Sequence, residues 1–260
     1  MNSIEYIASL SYGKDSMYML EVIHQNNLPL DRIVHVEVMA TDTISGDYPE
    51  MVEFKKKANK FIKERYGIEV ETLRAEKSFE EQFYTKRGKR AKPENVGKIY
   101  GFPAITSRWC NSKLKVSLLK KFDKIEKYTQ YIGLALDEPK RLERMKGTNQ
   151  RAPLAEYGIT EEQAYKWCEE NDMLSPIYKF SARGGCWFCQ LQRIGELRNL
   201  RKNYPDFWAM LLKWDEDSPV PFRPNMTVHE YDKRFAHEEK VLLEEEMKRE
   251  KARKEGKVNV

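Results

Sequence analysis

The chain has 260 residues, of which 40% are hydrophobic and 33% charged, an ordinary composition for a folded globular protein. Its net charge of +5 permits an anionic ligand such as a nucleotide or a nucleic acid but does not require one. No apolar stretch approaches the roughly 20 residues that cross a bilayer. Residues 1–16 contain Glu5 and lack an apolar run of signal-peptide length. We therefore expect a cytoplasmic protein without a membrane partner.

Strand and helix signals alternate in the first half of the chain. Short runs of β-branched and apolar residues predict strands at 5–10, 32–39, 68–73 and 128–136. Longer apolar patterns predict helices at 14–25 and at 49–66, the second of which begins with Pro49 and closes on Gly67. Strands separated by helices predict an α/β fold, a parallel twisted sheet flanked by helices.

Two basic stretches lie within or between these predicted strands and helices. The lysines at 55–57 lie within a helical pattern, and we interpret them as a solvated face. Residues 85–112 show no periodicity, and unstructured stretches of this length in compact domains are usually functional or disordered. The lysines and arginines at 86–98 are expected either to close over a ligand or to contact a nucleic acid. The sequence does not separate these two roles.

Helical patterns follow one another after about residue 150. They predict helices at 159–171, 191–203 and 206–217, and a charged helical tail from about residue 228. The first of these opens with the Thr-x-x-Gln spacing of a capping box, at Thr160. Four apolar side chains of the third are interpreted as a packing face rather than a base-stacking surface: Phe207, Trp208, Leu211 and Trp214.

The segment Ser11-Tyr12-Gly13-Lys14-Asp15-Ser16 lies between the first predicted strand and the first predicted helix. In such a segment, backbone N–H groups and the positive end of the helix converge on one point, which favours an anion. Gly13 allows close backbone approach, Lys14 adds a positive charge, and Ser11 and Ser16 add hydroxyl donors. The spacing does not fit Gly-x-x-x-x-Gly-Lys-Ser/Thr, and on these six residues alone an ordinary turn is an equal alternative.

Several segments in chain order resemble the phosphoadenosine phosphosulfate (PAPS) reductase family of the N-type ATP pyrophosphatases. The segment at 11–16 resembles the Ser-Gly-Gly-Lys-Asp-Ser loop of that family, with Tyr12 where many members have glycine, a change that we expect to bear on the loop's dihedral angles. Four further segments match in the same order: TDTISGDYPEMVEF (41–54), RWCNSKLK (108–115), GLALDEPKRL (133–142) and the region that begins with PLAEYGIT and ends with GGCWFC (153–189). Together the matches cover about residues 5–195.

The resemblance implies an adenine nucleotide alpha-hydrolase-like fold whose loop holds the phosphates of ATP or of a sulfonucleotide, with Mg²⁺. By position it implies these nucleotide-binding residues: Ser11, Tyr12, Gly13, Lys14, Asp15, Ser16, Asp42 and Thr43. It implies these clamps for phosphate or sulfate: Arg108, Lys113 and Arg141. Catalytic roles would fall to Lys14, Asp15 and Arg141, whereas Lys115 and Arg144 are interpreted as surface residues.

The four cysteines require a separate interpretation, since four thiols in a cytosolic chain of this length do not indicate a disulfide framework. Cys186 and Cys189 form a Cys-x-x-Cys pair after two glycines, which suits a metal knuckle. Cys110 and Cys168 would complete a set of four ligands, although Cys168 also fits a buried position on the inward face of its helix. The resemblance favours a 4Fe–4S cluster; Zn²⁺ and a metal-free redox pair are the alternatives.

The resemblance thus implies an enzyme that uses ATP to adenylate an acceptor and then transfers sulfur to it. A small molecule or a tRNA fits as acceptor, and a protein that donates sulfur or electrons fits as partner. One alternative is a PAPS or adenylylsulfate reductase that uses a different thiol, such as Cys110. The absence of any cysteine after Cys189 argues against it, because the true PAPS reductases use a C-terminal thiol. The other alternative is a zinc-stabilised basic binding module without catalysis.

These patterns predict three parts of the chain. We expect a nucleotide-binding α/β domain over 1–150, a helical C-terminal region over 151–240 that packs on it and carries the Cys-x-x-Cys knuckle, and a charged, solvated or frayed tail over 241–260.

Overall fold

The computed structural model describes residues 4–124, 127–181 and 184–254, and these form two compact units. The first unit contains the chain up to Gln82 together with 108–189, and the second contains 83–107 and the chain from Gln190 onward. This division differs from the predicted one at residue 150. Residues 151–189 group with the first unit because their helices pack on the first helix of the chain, whereas the basic stretch groups with the C-terminal helices.

A five-stranded parallel sheet forms the centre of the first unit. Its strands are β1 (Glu5–Leu10), β2 (Arg32–Glu37), β3 (Val70–Arg74), β4 (Tyr128–Ile132) and β5 (Gln150–Arg151), in the order β3-β2-β1-β4-β5. The predicted parallel α/β sheet is confirmed. The two-residue β5 was not predicted, because so short a strand leaves no periodicity in the sequence.

In the described ranges up to residue 170, eight helices alternate with or follow the strands. They are α1 (Lys14–Gln25), α2 (Pro49–Tyr66), α3 (Phe79–Tyr84), α4 (Trp109–Asn111), α5 (Ser117–Leu119), α6 (Pro139–Glu143), α7 (Pro153–Glu156) and α8 (Glu161–Glu170). A π-helical turn (Ser112–Val116) joins α4 to α5, and 3₁₀ turns occur at Pro93–Asn95, Lys120–Lys124 and Pro176–Lys179.

The predicted ends of these helices are confirmed where the sequence contains a capping signal. Helix α2 begins at Pro49 and is closed by Gly67, whose φ of 72° lies in the left-handed region. Helix α8 opens with the predicted capping box, in which the Thr160 and Gln163 side chains each bond the other residue's backbone N–H.

Apolar side chains on both faces of the sheet hold the first unit together. On one face, Ile7, Val34 and Phe122 form a buried cluster that Leu73, Leu119 and Tyr128 extend. On the other face, α1 packs against β1, α7 and α8. Full burial of one such side chain stabilises the fold by roughly 1.5–3 kcal/mol. The sheet is therefore a rigid support whose strand ends fix the loops that follow β1, β2 and β4.

The second unit contains α9 (Ile194–Asn203), α10 (Pro205–Asp217), α11 (Val228–Lys254) and the basic stretch. Buried leucines of α9 and aromatic side chains of the other parts form its core. Phe83 packs edge-on against Phe102 and at a tilt against Trp214. Trp208 and Leu211 are also buried, which confirms the predicted packing face of α10, whereas Phe207 is half-buried and stacks on Tyr204.

Two features of the second unit are strongly charged and exposed. The basic stretch folds back on itself through a bridge between Lys86 and Ile99, and it exposes Lys86, Lys89, Arg90, Lys92 and Lys98. The predicted tail is helical as far as Lys254, and nearly all of 241–253 is exposed. Within the described ranges, no helix combines the length and the apolar character that spanning a membrane would need.

Candidate functional site

A cavity of about 530 Å³ opens where β1, β2 and β4 end, the edge at which open parallel sheets bind ligands. Its volume lies within the range of small-molecule and cofactor sites. All six residues of the predicted phosphate loop (11–16) line it. The lining also contains the imidazole of His35, the thiol of Cys186 and these charged residues: Asp47, Lys55, Lys115, Arg141 and Glu161. The strand-to-helix segment singled out in the sequence therefore faces a cleft with room for a ligand.

The two serines of the phosphate loop brace the loop itself. The Ser16 hydroxyl donates to the Gly13 carbonyl oxygen at 3.0 Å and accepts from the Ser11 backbone N–H at 3.1 Å. The Ser11 and Ser16 hydroxyl oxygens are 3.0 Å apart, within hydrogen-bond distance. These bonds close the loop into a compact ring at the first turn of α1.

Tyr12 adopts a backbone conformation that usually requires glycine. Its φ of 57° lies in the left-handed region, which costs a residue with a Cβ roughly 1–2 kcal/mol. Tyr12, which stands where many members of the family that the sequence resembles have glycine, therefore adopts a conformation that glycine reaches without this cost. The tyrosine side chain is almost fully buried, and its hydroxyl donates to Asn59 Oδ1 at 2.6 Å.

Lys14 presents its backbone and its side chain to different partners. Its backbone N–H donates to the Tyr178 hydroxyl at 3.2 Å, while its ammonium lies 2.8 Å from Asp15 and 3.4 Å from Glu161. Burial lowers the pKa of Lys14, but Asp15 and Glu161 outweigh it and raise the pKa above its ordinary value. Burial raises the pKa of Asp15, and the hydrogen bond from Lys14 offsets only part of this effect. The two residues form a charged pair at the mouth of the phosphate loop.

Gly133 allows the phosphate loop to lie against the end of β4. A Cβ at this position would lie 2.7 Å from the Ser16 backbone nitrogen and 2.8 Å from the Asp15 carbonyl carbon, closer than real contacts allow. Glycine is therefore required here, and its position opens the GLALDEPKRL segment that the sequence singles out.

A buried polar network lines the cavity beside the phosphate loop, and the sequence analysis missed it. Lys55 contacts the Asp47 carboxylate and lies 2.8 Å from His35 Nε2, while His35 Nδ1 lies 2.9 Å from the Leu10 carbonyl oxygen. Burial, and then the charge of Lys55, lower the pKa of His35 to about 4. At neutral pH His35 is therefore uncharged.

The interpretation of Lys55 as part of a solvated face is wrong. Lys55 is 9% exposed, whereas the neighbouring Lys56 and Lys57 are exposed as expected. The signal was present in the sequence, because Lys55 occupies the same α2 stripe as the buried Met51, Ala58 and Ile62, at spacings of three and four residues.

The remaining predicted phosphate contacts divide into those that reach the cavity and those that do not. Arg141 lines the cavity and pairs with Glu138. Lys115, interpreted as a surface residue, is exposed but also lines the cavity. Four predicted residues are exposed and lie outside the lining: Asp42, Thr43, Arg108 and Lys113. Lys113 and Lys115 are two residues apart in a helical turn, so their side chains lie on opposite sides of it.

Three of the four cysteines lie in one region of the first unit. Burial raises the pKa of Cys186 to about 12, and the thiols of Cys189 and Cys110 add to the shift. Burial likewise raises the pKa of Cys110, with a contribution from Cys189. Gly46 contacts this group, since a Cβ there would lie 3.3 Å from Cys186 Sγ. Trp187 and Phe188, the residues between the paired cysteines, are buried.

Cys168 lies apart from the other thiols. It is fully buried on α8, as its place on the inward face predicted, and its thiol donates to the Lys14 carbonyl oxygen at 3.4 Å. It therefore supports the start of α1 rather than the three-thiol group of Cys110, Cys186 and Cys189. Among the residues that the structure describes, no three His, Cys, Asp or Glu side chains are arranged to hold a metal ion. The four-cysteine metal site stays a prediction.

Comparison with known proteins finds distant similarities. No family model matches the chain. It is 25% identical over 224 residues to the uncharacterized protein MJ0066 of Methanocaldococcus jannaschii; the match covers 80% of this chain and 40% of that protein. The chain therefore spans less than half the length of this curated relative.

Among solved structures, the chain is similar to the U34-tRNA thiolase NcsA of Methanococcus maripaludis, which was solved with its 4Fe–4S cluster. The TM-score is 0.38 at 16% identity, and the match covers 83% of this chain and 72% of that one. Neither similarity is high enough to assign the chain to a family.

Proposed function

We propose that the chain is an ATP-using enzyme that adenylates an acceptor and then transfers sulfur to it. The observation that carries the proposal is the 530 Å³ cavity at the strand ends, with all six residues of the Ser-Tyr-Gly-Lys-Asp-Ser loop in its wall. A strand, a compact loop and the first turn of a helix aimed into a cleft form a favourable site for a polyanion.

In this proposal the loop holds the phosphates of ATP. The backbone N–H groups at the start of α1 donate to phosphate oxygens, and the Lys14 ammonium neutralises part of their charge. Arg141 at the cavity edge provides a second cation. Asp15 and Glu161, which face Lys14, are suited to bind the Mg²⁺ that accompanies ATP, because Mg²⁺ prefers carboxylate and phosphate oxygens.

The reaction proceeds in two displacements. An oxygen of the acceptor, a small molecule or a tRNA, attacks the α-phosphorus; the bond to the bridging oxygen breaks and pyrophosphate leaves. A sulfide-level donor then attacks the activated carbon of the acceptor; the new carbon–sulfur bond replaces the carbon–oxygen bond, and AMP leaves with that oxygen. Catalysis of the first step rests on positioning and charge neutralisation by Lys14 and Arg141 rather than on a protein nucleophile.

We further propose that Cys110, Cys186 and Cys189 hold a 4Fe–4S cluster. Thiolates are the ligands that such clusters prefer, and the buried apolar Trp187 and Phe188 lie between the paired cysteines. When bound, the cluster supplies iron that can hold a sulfide donor. Cys186 reaches both this group and the cavity wall, which brings the proposed sulfur site next to the proposed nucleotide site.

Reduction of a sulfonucleotide by Cys110 is less favoured on chemical grounds. Burial raises the pKa of Cys110, which disfavours the thiolate that would attack sulfur, and Cys110 does not line the cavity.

The test combines nucleotide binding with metal analysis. Anaerobically purified protein is titrated with MgATP in a calorimeter, and pyrophosphate release is measured with candidate acceptors, including bulk tRNA. We expect binding by the wild type and a loss of at least about 100-fold in Lys14→Ala, because a charged contact to phosphate is removed. Lys56→Ala, which removes an exposed lysine outside the cavity, is the matched control and should bind normally.

Two results would overturn the proposal. Wild-type protein that does not bind ATP has no such site, and unchanged binding in Lys14→Ala would show that the loop does not hold the phosphates. Colourless protein that contains zinc and does not bind ATP would instead support a zinc-stabilised binding module.

A further inference from the structure

The side chain of Tyr12 is enclosed by residues of β2 and α2. Its ring meets the His35 ring edge-on, with centroids 4.7 Å apart, and the Lys55 ammonium lies 5.3 Å from its centroid. Its hydroxyl donates to Asn59 Oδ1 at 2.6 Å. Tyr12 is therefore held on its ring face, on its ring edge and at its hydroxyl by three different side chains.

The hydrogen bonds of His35 fix its tautomer and the role of Lys55. The Leu10 carbonyl oxygen can only accept, so His35 Nδ1 carries the proton and donates to it at 2.9 Å. His35 Nε2 then has a free lone pair, which accepts from the Lys55 ammonium at 2.8 Å. The same ammonium contacts the Asp47 carboxylate. The charge of the buried lysine is thus balanced, and both ring nitrogens of His35 have a partner.

We propose that Lys55 and His35 are positioning residues for the phosphate loop and that they act through the side chain of Tyr12. The proposal rests on the proposed nucleotide site. Leu10 immediately precedes the loop and Tyr12 lies within it. The network therefore contacts the loop at two points, the Leu10 carbonyl oxygen and the Tyr12 side chain.

The reason for such a network lies in the backbone of Tyr12. A glycine at φ 57° would hold the loop's shape without help, whereas a tyrosine gains free energy by returning to negative φ. Such a return would move the backbone of the following Gly13 and Lys14, whose N–H groups donate to the hydroxyls of Ser11 at 3.4 Å and of Tyr178 at 3.2 Å in the cavity wall. The contacts of the Tyr12 ring and hydroxyl oppose it. Lys55 and His35 therefore hold, by packing against the Tyr12 side chain, a backbone conformation that glycine would adopt without strain.

A double-mutant cycle between Lys55 and Tyr12 tests this inference. In the wild-type background, Lys55→Met should weaken MgATP binding about tenfold, a typical coupling between residues in contact. In the Tyr12→Gly background, the same substitution should change the affinity less than about twofold, because glycine keeps the loop conformation unaided. Tyr12→Phe, which loses only the hydroxyl, should show a smaller loss than Lys55→Met.

Controls separate positioning from general damage. Lys55→Met leaves Asp47 without its partner, so the charge-balanced Lys55→Met/Asp47→Asn variant is measured alongside it and should show the same loss of affinity. Lys56→Met, one residue away and exposed, should bind like the wild type. Urea unfolding of every variant identifies any that fail to fold.

A second measurement does not depend on ATP. Hydrogen exchange of the backbone amides at 12–16 in ligand-free protein should accelerate about tenfold in Lys55→Met and remain unchanged when Lys55→Met is added to Tyr12→Gly. Equal effects of Lys55→Met in both backgrounds, or no effect in either, would overturn the positioning role. Failure of the wild type to bind ATP, with the exchange result intact, would instead overturn the proposed function alone.

Discussion

The phosphate loop and the three-thiol group are the two chemically distinctive regions of the first unit, and the chain builds them in different ways. The loop is six consecutive residues whose serines bond to each other and to the Gly13 carbonyl oxygen. The thiols come from Cys110, Cys186 and Cys189, which only the tertiary fold brings together. The loop is braced by bonds within itself and by contacts of the Tyr12 side chain with β2 and α2, whereas the thiols disfavour one another's ionisation.

The difference shows where each region depends on the rest of the molecule. The backbone of the loop lies so close to Gly133, at the end of β4, that a Cβ there would overlap it. Cys186 of the thiol group likewise lies close to Gly46, which follows β2. Substitution of Gly133 or of Gly46 should therefore disturb one region without the other.

The largest effect is expected from Gly133→Ala. Its added methyl group would overlap backbone atoms of Ser16 and Asp15, which cannot move without moving the start of α1. We expect MgATP affinity to fall by more than about 100-fold, since overpacking against backbone costs up to about 3 kcal/mol. Calorimetry measures the affinity, and the iron content of the same protein should match that of the wild type. Gly195→Ala, at an open position, is the matched control. Normal ATP binding in Gly133→Ala would contradict the loop's dependence on β4.

Acidification is the next largest effect, and it acts on the phosphate-loop side through His35. The folded-state pKa of about 4 lies below the roughly 6.5 of an unfolded histidine. Between these values the unfolded chain binds more protons, so the free energy of unfolding falls as pH falls. The loss from this group should reach about 3 kcal/mol near pH 4. Lys55, Asp47 and Lys115 are the charged groups that also act on His35.

Urea unfolding of the wild type and of His35→Gln at about pH 7 and pH 4.5 measures this contribution. The glutamine variant should lose clearly less stability on acidification than the wild type. Equal losses in the two proteins would show that His35 titrates normally in the folded state.

Gly46→Ala should disturb the thiol group with a moderate effect. A Cβ at Gly46 would lie 2.6 Å from the Val38 carbonyl oxygen and 3.3 Å from Cys186 Sγ. We expect the free energy of unfolding to fall by about 2 kcal/mol and iron per chain to decrease, while MgATP affinity stays within about threefold of the wild type. Metal analysis and calorimetry on one preparation check both. A selective loss of ATP binding with full iron content would reverse the assignment of the two regions.

The smallest effect is expected from Cys168→Ser, which tests whether Cys168 belongs with the thiols. A serine hydroxyl can keep the bond to the Lys14 carbonyl oxygen with little change in volume. Iron content should be unchanged and ATP affinity should stay within about twofold of the wild type, whereas Cys110→Ser should lose iron. Loss of iron in Cys168→Ser would restore the four-cysteine set that the sequence predicts.

Much of the sheet and most of the loop could be predicted from sequence because their signals are local. Strand β1, helix α1 and the capped ends of α2 and α8 follow from short runs of residues, and all were predicted. The two-residue β5 and the short α3 could not be, since neither is long enough to show a period. Residues 11–16 were singled out for the same reason, and all six line the cavity, whereas their role in binding phosphate stays a prediction.

The partners of that loop could not be predicted, because they are set by contacts between distant parts of the chain. Lys55 and His35 are separated from Tyr12 by 43 and 23 positions, so only the fold shows that they surround it. The four cysteines were treated as one set because composition alone cannot tell which thiols meet. Lys55 is the exception, since its place on the buried stripe of α2 was readable and was overlooked.

Three of the four lysine and arginine side chains in the cavity wall already have a carboxylate beside them: Lys14 with Asp15, Lys55 with Asp47 and Arg141 with Glu138, whereas the fourth, Lys115, is exposed. A phosphate that arrives there exchanges one close ion pair for another and releases few counterions. Ionic strength should therefore change its affinity much less than it would in a cleft of unpaired lysines, where screening weakens every contact. The cavity should therefore select ligands by close contacts between individual charges, and long-range electrostatic attraction of anions should be weak.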